Sequence, residues 1–273
     1  MKKLLFLLIA ITSVSAAQDT AVRESILKEG LLLYRLEKAS WNGTDIFLAN
    51  YPSMRDSLGG YVSYQTTANK INTIFFSRKD PDRILIRYTF DSLPKTNPIF
   101  ANDQDHQVTS IEKDLISIRQ DALRMISRNE DKFFTFYENT SFNPIPVING
   151  SEREVYILTA PRNNGAVLLG NDYLLFYDIK NTFISKKKLH NSLISLAYKN
   201  DDKNNPSVTT MHSHVLSDYI EATDICTLLL YKDFVEWKTH IVISRKYVSI
   251  LDLEKESLLI MTRKAWEKID ISK

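Results

Sequence analysis

The chain has 273 residues, 44% hydrophobic and 25% charged, with 35 Lys+Arg against 33 Asp+Glu and a net charge of +2. That length supports a hydrophobic core without covalent staples, and the composition is that of a folded protein rather than a disordered or fibrous one. The near-balance of charge gives no long-range field for collecting nucleic acid or an anionic membrane, and a single cysteine, Cys226, excludes an intramolecular disulfide framework.

Lys2-Lys3 make a positive start, Leu4 to Ile11 an apolar run too short to span a bilayer, and Ser13-Val14-Ser15-Ala16-Ala17 a set of small residues suited to cleavage. The reading is a signal peptide over residues 1–17 and an exported protein, periplasmic or extracellular. No later apolar run reaches the length of a membrane span, so the mature chain is expected to carry no transmembrane segment. Loss of Lys2 and Lys3 would leave it electrically neutral, which again speaks against a nucleic-acid partner.

From Asp19 to about Leu36 the apolar residues Val22, Ile26, Leu27, Leu31 and Tyr34 recur at helical spacing, with Gly30 a weak point. Asn42-Gly43 is expected to interrupt this helix, and Ile46 to Tyr51 to form a second, short one. Tyr61 to Gln65, Ile71 to Ser77 and Ile84 to Phe90 are β-branched and aromatic runs separated by turn compositions, which predicts an antiparallel meander. Pro94 to Asp105 reads as a loop. Thr109-Ser110 then open the most regular helical pattern, through Leu115, Ile118, Ala122 and Ile126 to about Asn129, with Glu112 and Arg119 on a face expected to be solvated. Asn143-Pro144-Ile145-Pro146 with Asn149-Gly150 reads as a break suited to a domain boundary.

Beyond the break, strands are expected at Glu154 to Thr159, Ala166 to Leu169, Tyr173 to Tyr177, Leu193 to Tyr198 and Val208 to Met211. Turns fall at Lys186-Lys187-Lys188 and at Asp201 to Pro206. A helix follows from about Thr223 to Phe234, then strands at Ile241 to Ser244, Tyr247 to Leu251 and Leu258 to Met261, and a short helix from Arg263 to Ile269. The order predicts an α+β fold: an N-terminal helix, an antiparallel meander and a long helix over 18–149, then a mixed sheet with one embedded helix over 150–273.

Chemistry is hinted at in one place. His212 and His214 stand two apart at the end of a β-branched run, so a strand would put both imidazoles on one face, and the chain reversal that follows returns Asp224. Two imidazoles and a carboxylate form a three-ligand corner for a metal, with Asp218 a substitute ligand. The same residues also read as ordinary structure, with Thr223 capping the following helix and Asp224 the acid of its first turn. His190 reads as part of a solvated lysine turn, His240 as a packed or edge residue of a strand, and Cys226 as a buried thiol.

The run Gly165-Ala166-Val167-Leu168-Leu169-Gly170, the strand ending in His212-Ser213-His214, the helix beginning near Asp224 and the strand at Ile241 together resemble the JAB/MPN (JAMM) metalloprotease core over about residues 150–262. The resemblance implies zinc as cofactor, held by His212, His214 and Asp224, and hydrolysis of peptide or isopeptide bonds with a glutamate as base. Asp224 takes the metal position only with the turn shortened by one residue. Glu221 then stands where the family has serine, and Arg162 where it has the glutamate, so Glu221 and Glu154 are the base candidates. The whole chain also looks like exported bacterial proteins of uncharacterised families. Two functions follow as expectations: a non-catalytic binding or interaction module for a protein, peptide or glycan, or a zinc-dependent JAMM-like hydrolase.

Overall fold

A computed structural model describes residues 2–94, 96–198 and 208–270; the turn expected at Asp201 to Pro206 lies outside them. The architecture is α+β. It divides into two compact units, a central one over Leu33–Ala197 and a terminal one built from Met1–Leu32 with Tyr198–Lys273. No helix among the described residues is long and apolar enough to cross a membrane.

Helix α1 runs unbroken over Lys2–Asn50, where two helices were expected. The reason lies in what Gly43 touches. A Cβ there would stand 3.3 Å from Phe75 Cε2 and 3.4 Å from Thr73 Cγ2, so the glycine serves a close approach of helix to strand rather than a turn. One turn further on, Phe47 stacks on Phe75 with ring centroids 4.9 Å apart and planes 10° from parallel.

In the central unit, β1 (Leu58–Gln65), β2 (Ile71–Ser77), β3 (Ile84–Phe90) and the short β4 (Phe100–Asn102) form the expected antiparallel meander, with β4 falling inside the predicted loop. Helix α2 (Ser110–Arg128) starts on a capping box: Thr109 accepts from the Glu112 N–H, and the Glu112 carboxylate accepts from the Thr109 N–H. Leu115 and Ile116 pack on Val62, Ile74, Phe76 and Ile84 of the meander. Ile118, Ala122 and Ile126 pack on Val155, Ile157, Tyr173 and Leu175 of a second sheet. α2 therefore joins two cores. Its charged face is not all solvated, because Glu112 and Arg119 are both buried.

The second sheet has the order β5-β6-β8-β9, made of β5 (Thr140–Asn149), β6 (Glu152–Pro161), β8 (Tyr173–Tyr177) and β9 (Phe183–Lys188). The segment read as a break is thus strand β5, and Asn149-Gly150 is the tip of its hairpin with β6. Pro144 and Pro146 lack N–H donors, and β5 tolerates them because it is an edge strand. The lysines read as a turn lie on the opposite edge, β9, where Lys186 pairs with Asp131 at 2.6 Å and lies over the Phe133 ring. Among the described residues, β7 (Ala166–Gly170) pairs only with β10 (Leu193–Ala197).

The terminal unit carries a mixed sheet of order β11-β12-β13-β14, from β11 (Thr209–Ser213), β12 (Thr239–Ile243), β13 (Tyr247–Asp252) and β14 (Ser257–Thr262). β11 and β12 are parallel, so the chain between them must cross over, and helix α3 (Ala222–Tyr231) lies in that connection. The remaining pairs are antiparallel, and α4 (Arg263–Asp270) follows β14. α3 buries Ile225, Cys226, Leu228 and Leu229, the thiol included as expected. Gly30 of α1 meets α3: a Cβ there would lie 2.6 Å from Ile225 Cβ.

Candidate metal centre

β11 delivers His212 from within the strand and His214 just past its end, and the crossover brings α3 back so that Asp224, its third residue, faces them. The three side chains are nearly sealed, 2% exposed for each imidazole and 0% for the carboxylate. His214 Nε2 lies 3.1 Å from Asp224 Oδ2, and His212 Nε2 lies 3.9 Å from Asp224 Oδ1. One donor atom from each residue can be chosen so that all fall within 4.8 Å of one another. A tetrahedral zinc ion with bonds of about 2.0–2.2 Å holds its donors roughly 3.4 Å apart, so the spacing suits such an ion.

The hydrogen bonds fix how these groups point. His214 Nδ1 lies 2.7 Å from the Tyr219 carbonyl oxygen and 2.9 Å from Ser217 Oγ, whose hydroxyl is itself donated to that carbonyl at 2.6 Å. A carbonyl only accepts, so His214 Nδ1 carries a hydrogen and Nε2 is the edge turned to Asp224. In the neutral ring that edge is a lone pair facing a carboxylate oxygen at 3.1 Å. Two acceptors face each other unless a hydrogen shared between them or a metal ion bridges the gap. Asp224 is held in turn by the helix start, where Oδ2 accepts the Glu221 N–H at 3.1 Å.

The sequence brought His212, His214 and Asp224 forward, and the fold brings these three together. Asp218 instead pairs with Lys246 at 2.7 Å. Glu221, half-buried, is the residue that precedes α3 in the cap position, a place expected for Thr223, which is buried inside the first turn. Glu154 belongs to the central unit, on β6, where its carboxylate accepts from the Tyr156 hydroxyl at 3.2 Å. His190, also of that unit, is buried with Nδ1 3.6 Å from Asp172 Oδ2 rather than solvated.

Two further residues join this corner: His240, packed in a strand as expected but not read as part of the site, and Thr210. His240, fully buried on β12, sets Nε2 2.7 Å from His212 Nδ1 and Nδ1 2.7 Å from Thr210 Oγ1. Burial first, and then the neighbouring His212, push His240 down to about 3, with Asp224 opposing and His214 adding to the fall, so His240 is neutral near pH 7. The signal for it was the parallel pairing of β11 with β12, whose register sets Thr210 beside His240. An antiparallel or unpaired reading of the two segments hides that neighbourhood.

No family model, curated protein or solved structure matches the chain significantly.

Proposed function

We propose that the protein is a metal-binding module in which His212 Nε2, His214 Nε2 and the Asp224 carboxylate hold one divalent ion, with Zn²⁺ the best match. The observation that carries this is the convergence of the three groups within 4.8 Å at one buried corner. Two imidazoles and a carboxylate suit zinc better than calcium or magnesium, which take oxygen ligands. The near-complete burial of all three side chains favours an ion that secures the strand–helix junction over one that turns over substrate, so the leading reading is non-catalytic. Export through residues 1–17 belongs to this proposal on the residues that suggested it: Lys2-Lys3, the short apolar run and the small residues after it.

A zinc-dependent JAMM-like hydrolase is the second reading, supported by the order strand, His-x-His, turn and helix carboxylate. An ion bound there supplies Lewis acidity, while the chain's own part is to fix the three donors and to offer a base. Glu221 is the choice for that base, since it lies in the same unit and its backbone is tied to Asp224, whereas Glu154 belongs to the central unit.

The test is metal analysis of the purified chain, followed by thermal melts with and without added Zn²⁺ for wild type and His212→Ala. The proposal expects about one zinc per chain, and a stabilisation by zinc that the substitution abolishes. Wild type that takes up no zinc and melts identically with and without it refutes the metal reading. Peptide and isopeptide cleavage assays on the zinc-loaded protein then decide between the two readings.

A further inference from the structure

His240 and Thr210 lie behind His212, on the side away from Asp224, and form a chain of hydrogen bonds that ends on the ligand ring. Resting on the metal reading above, we propose that His240, backed by the Thr210 hydroxyl, is the positioning residue that sets the tautomer of His212 for metal binding.

The argument is one of hydrogen count. A neutral imidazole has one N–H and one lone pair, and both nitrogens of His240 are engaged, each at 2.7 Å. Only two polarities of the chain are possible. In one, the Thr210 hydroxyl donates to His240 Nδ1, His240 Nε2–H donates to His212 Nδ1, and His212 carries its own hydrogen on Nε2, aimed toward Asp224. In the other, His212 Nδ1–H donates to His240 Nε2, His240 Nδ1–H donates to Thr210 Oγ1, and His212 Nε2 presents a lone pair. Metal ligation requires the second.

Thr210 makes that polarity available because its hydroxyl oxygen accepts as readily as its hydrogen donates. The two ligand histidines thus reach one outcome by different means. His214 is fixed by a carbonyl that can only accept, and His212 by an imidazole whose own polarity a hydroxyl must permit. The β-sheet holds the arrangement, since Thr210 pairs with His240 and His212 with Val242 across β11 and β12.

The experiment uses the full chain stripped of metal and titrated with Co²⁺, whose visible absorption reports ligand number and geometry, with Zn²⁺ competition for affinity. His240→Leu removes the acceptor, His240→Gln offers an amide oxygen near the place of Nε2, and Thr210→Val removes only the hydroxyl. Loss of an outer-shell partner of a metal ligand weakens binding by about 10–100-fold, and that is the loss expected for His240→Leu. Most of it should return in His240→Gln, and Thr210→Val should show a smaller loss in the same direction.

Should the variants fail to fold, nitrogen-detected NMR of the metal-loaded wild type reads the tautomers directly, and the hydrogens of His212 and His240 must both sit on Nδ1. Wild-type affinity and spectrum in His240→Leu, or a hydrogen on Nε2 of either ring while metal is bound, overturns the inference and leaves the metal reading intact. No Co²⁺ or Zn²⁺ uptake by wild type overturns both.

Discussion

Glu112 of the central unit and Asp224 of the terminal unit occupy the same structural slot. Each is a fully buried carboxylate at the third position of a helix, accepting the backbone N–H of the residue that caps it. Their surroundings differ. Glu112 meets Arg87 at 2.8 and 2.9 Å and the Tyr64 hydroxyl at 2.8 Å. Burial pushes it upward, but Arg87, the Thr109 N–H and Tyr64 outweigh that and hold it below the usual carboxylate range. Asp224 faces two imidazoles where Glu112 faces a guanidinium. An arginine brings its own charge and completes a structural ion pair; two imidazoles acquire charge only with a proton or a metal. The contrast teaches that a capping role and a ligand role are compatible, and that the partners decide which of them is all there is.

The comparison can be broken at either end. Glu112→Ala leaves Arg87, which is only 12% exposed, with the more exposed Asp105 carboxylate at 3.2 Å as its remaining ion pair, and should cost about 2–3 kcal/mol, read as a lowered midpoint in urea unfolding. It should leave Zn²⁺ uptake unaltered. Asp224→Asn should do the reverse: metal affinity falls by at least about 100-fold, while the metal-free protein loses little stability. At zinc concentrations about 100 times its dissociation constant, wild type should gain about 2.7 kcal/mol that Asp224→Asn does not. Equal zinc stabilisation of both proteins would show that Asp224 is only a cap.

A third buried carboxylate sharpens the contrast through pH. Glu37, 2% exposed, accepts from Asn143 at 2.6 Å. Burial raises it from 4.5 to about 7, against the opposing pull of Asn143 and Arg119. A raised folded-state value means that its contribution is fully present below 4.5 and is lost as pH climbs through about 7. Glu37→Gln should remove that loss and make the protein more stable at pH 8 than wild type, by at most about 3 kcal/mol. A wild-type stability that is flat between pH 4.5 and 8 in chemical unfolding would contradict it. The smallest effect is expected at Gly30, where Gly30→Ala gains about 1 kcal/mol of helix propensity but drives a Cβ into Ile225, for a net cost of about 1–2 kcal/mol. Because Ile225 adjoins Asp224, a few-fold loss of Co²⁺ affinity should accompany it.

The sequence carried much of the fold where local patterns decide it. β2 and β3 have the expected bounds, and α2 is capped by Thr109 at its start and by Asn129, in the left-handed conformation, at its end, because cap chemistry is local. It misled where distant partners decide. Gly43 was read as a break without sight of Phe75, and the prolines of β5 were read as a break without knowledge that the strand is an edge. At the candidate site, His212, His214 and Asp224 could be read from spacing alone. His240 could not, because its role depends on which strand β12 pairs with and in which direction.

The central claim is that one divalent ion binds between His212, His214 and Asp224. Its most direct measurement is anomalous scattering at the zinc absorption edge from crystals of the zinc-loaded protein. The account predicts a single strong peak with both Nε2 atoms and a carboxylate oxygen of Asp224 about 2.0–2.2 Å away. A map with no peak at that corner, or with zinc held only by surface residues elsewhere, would contradict it.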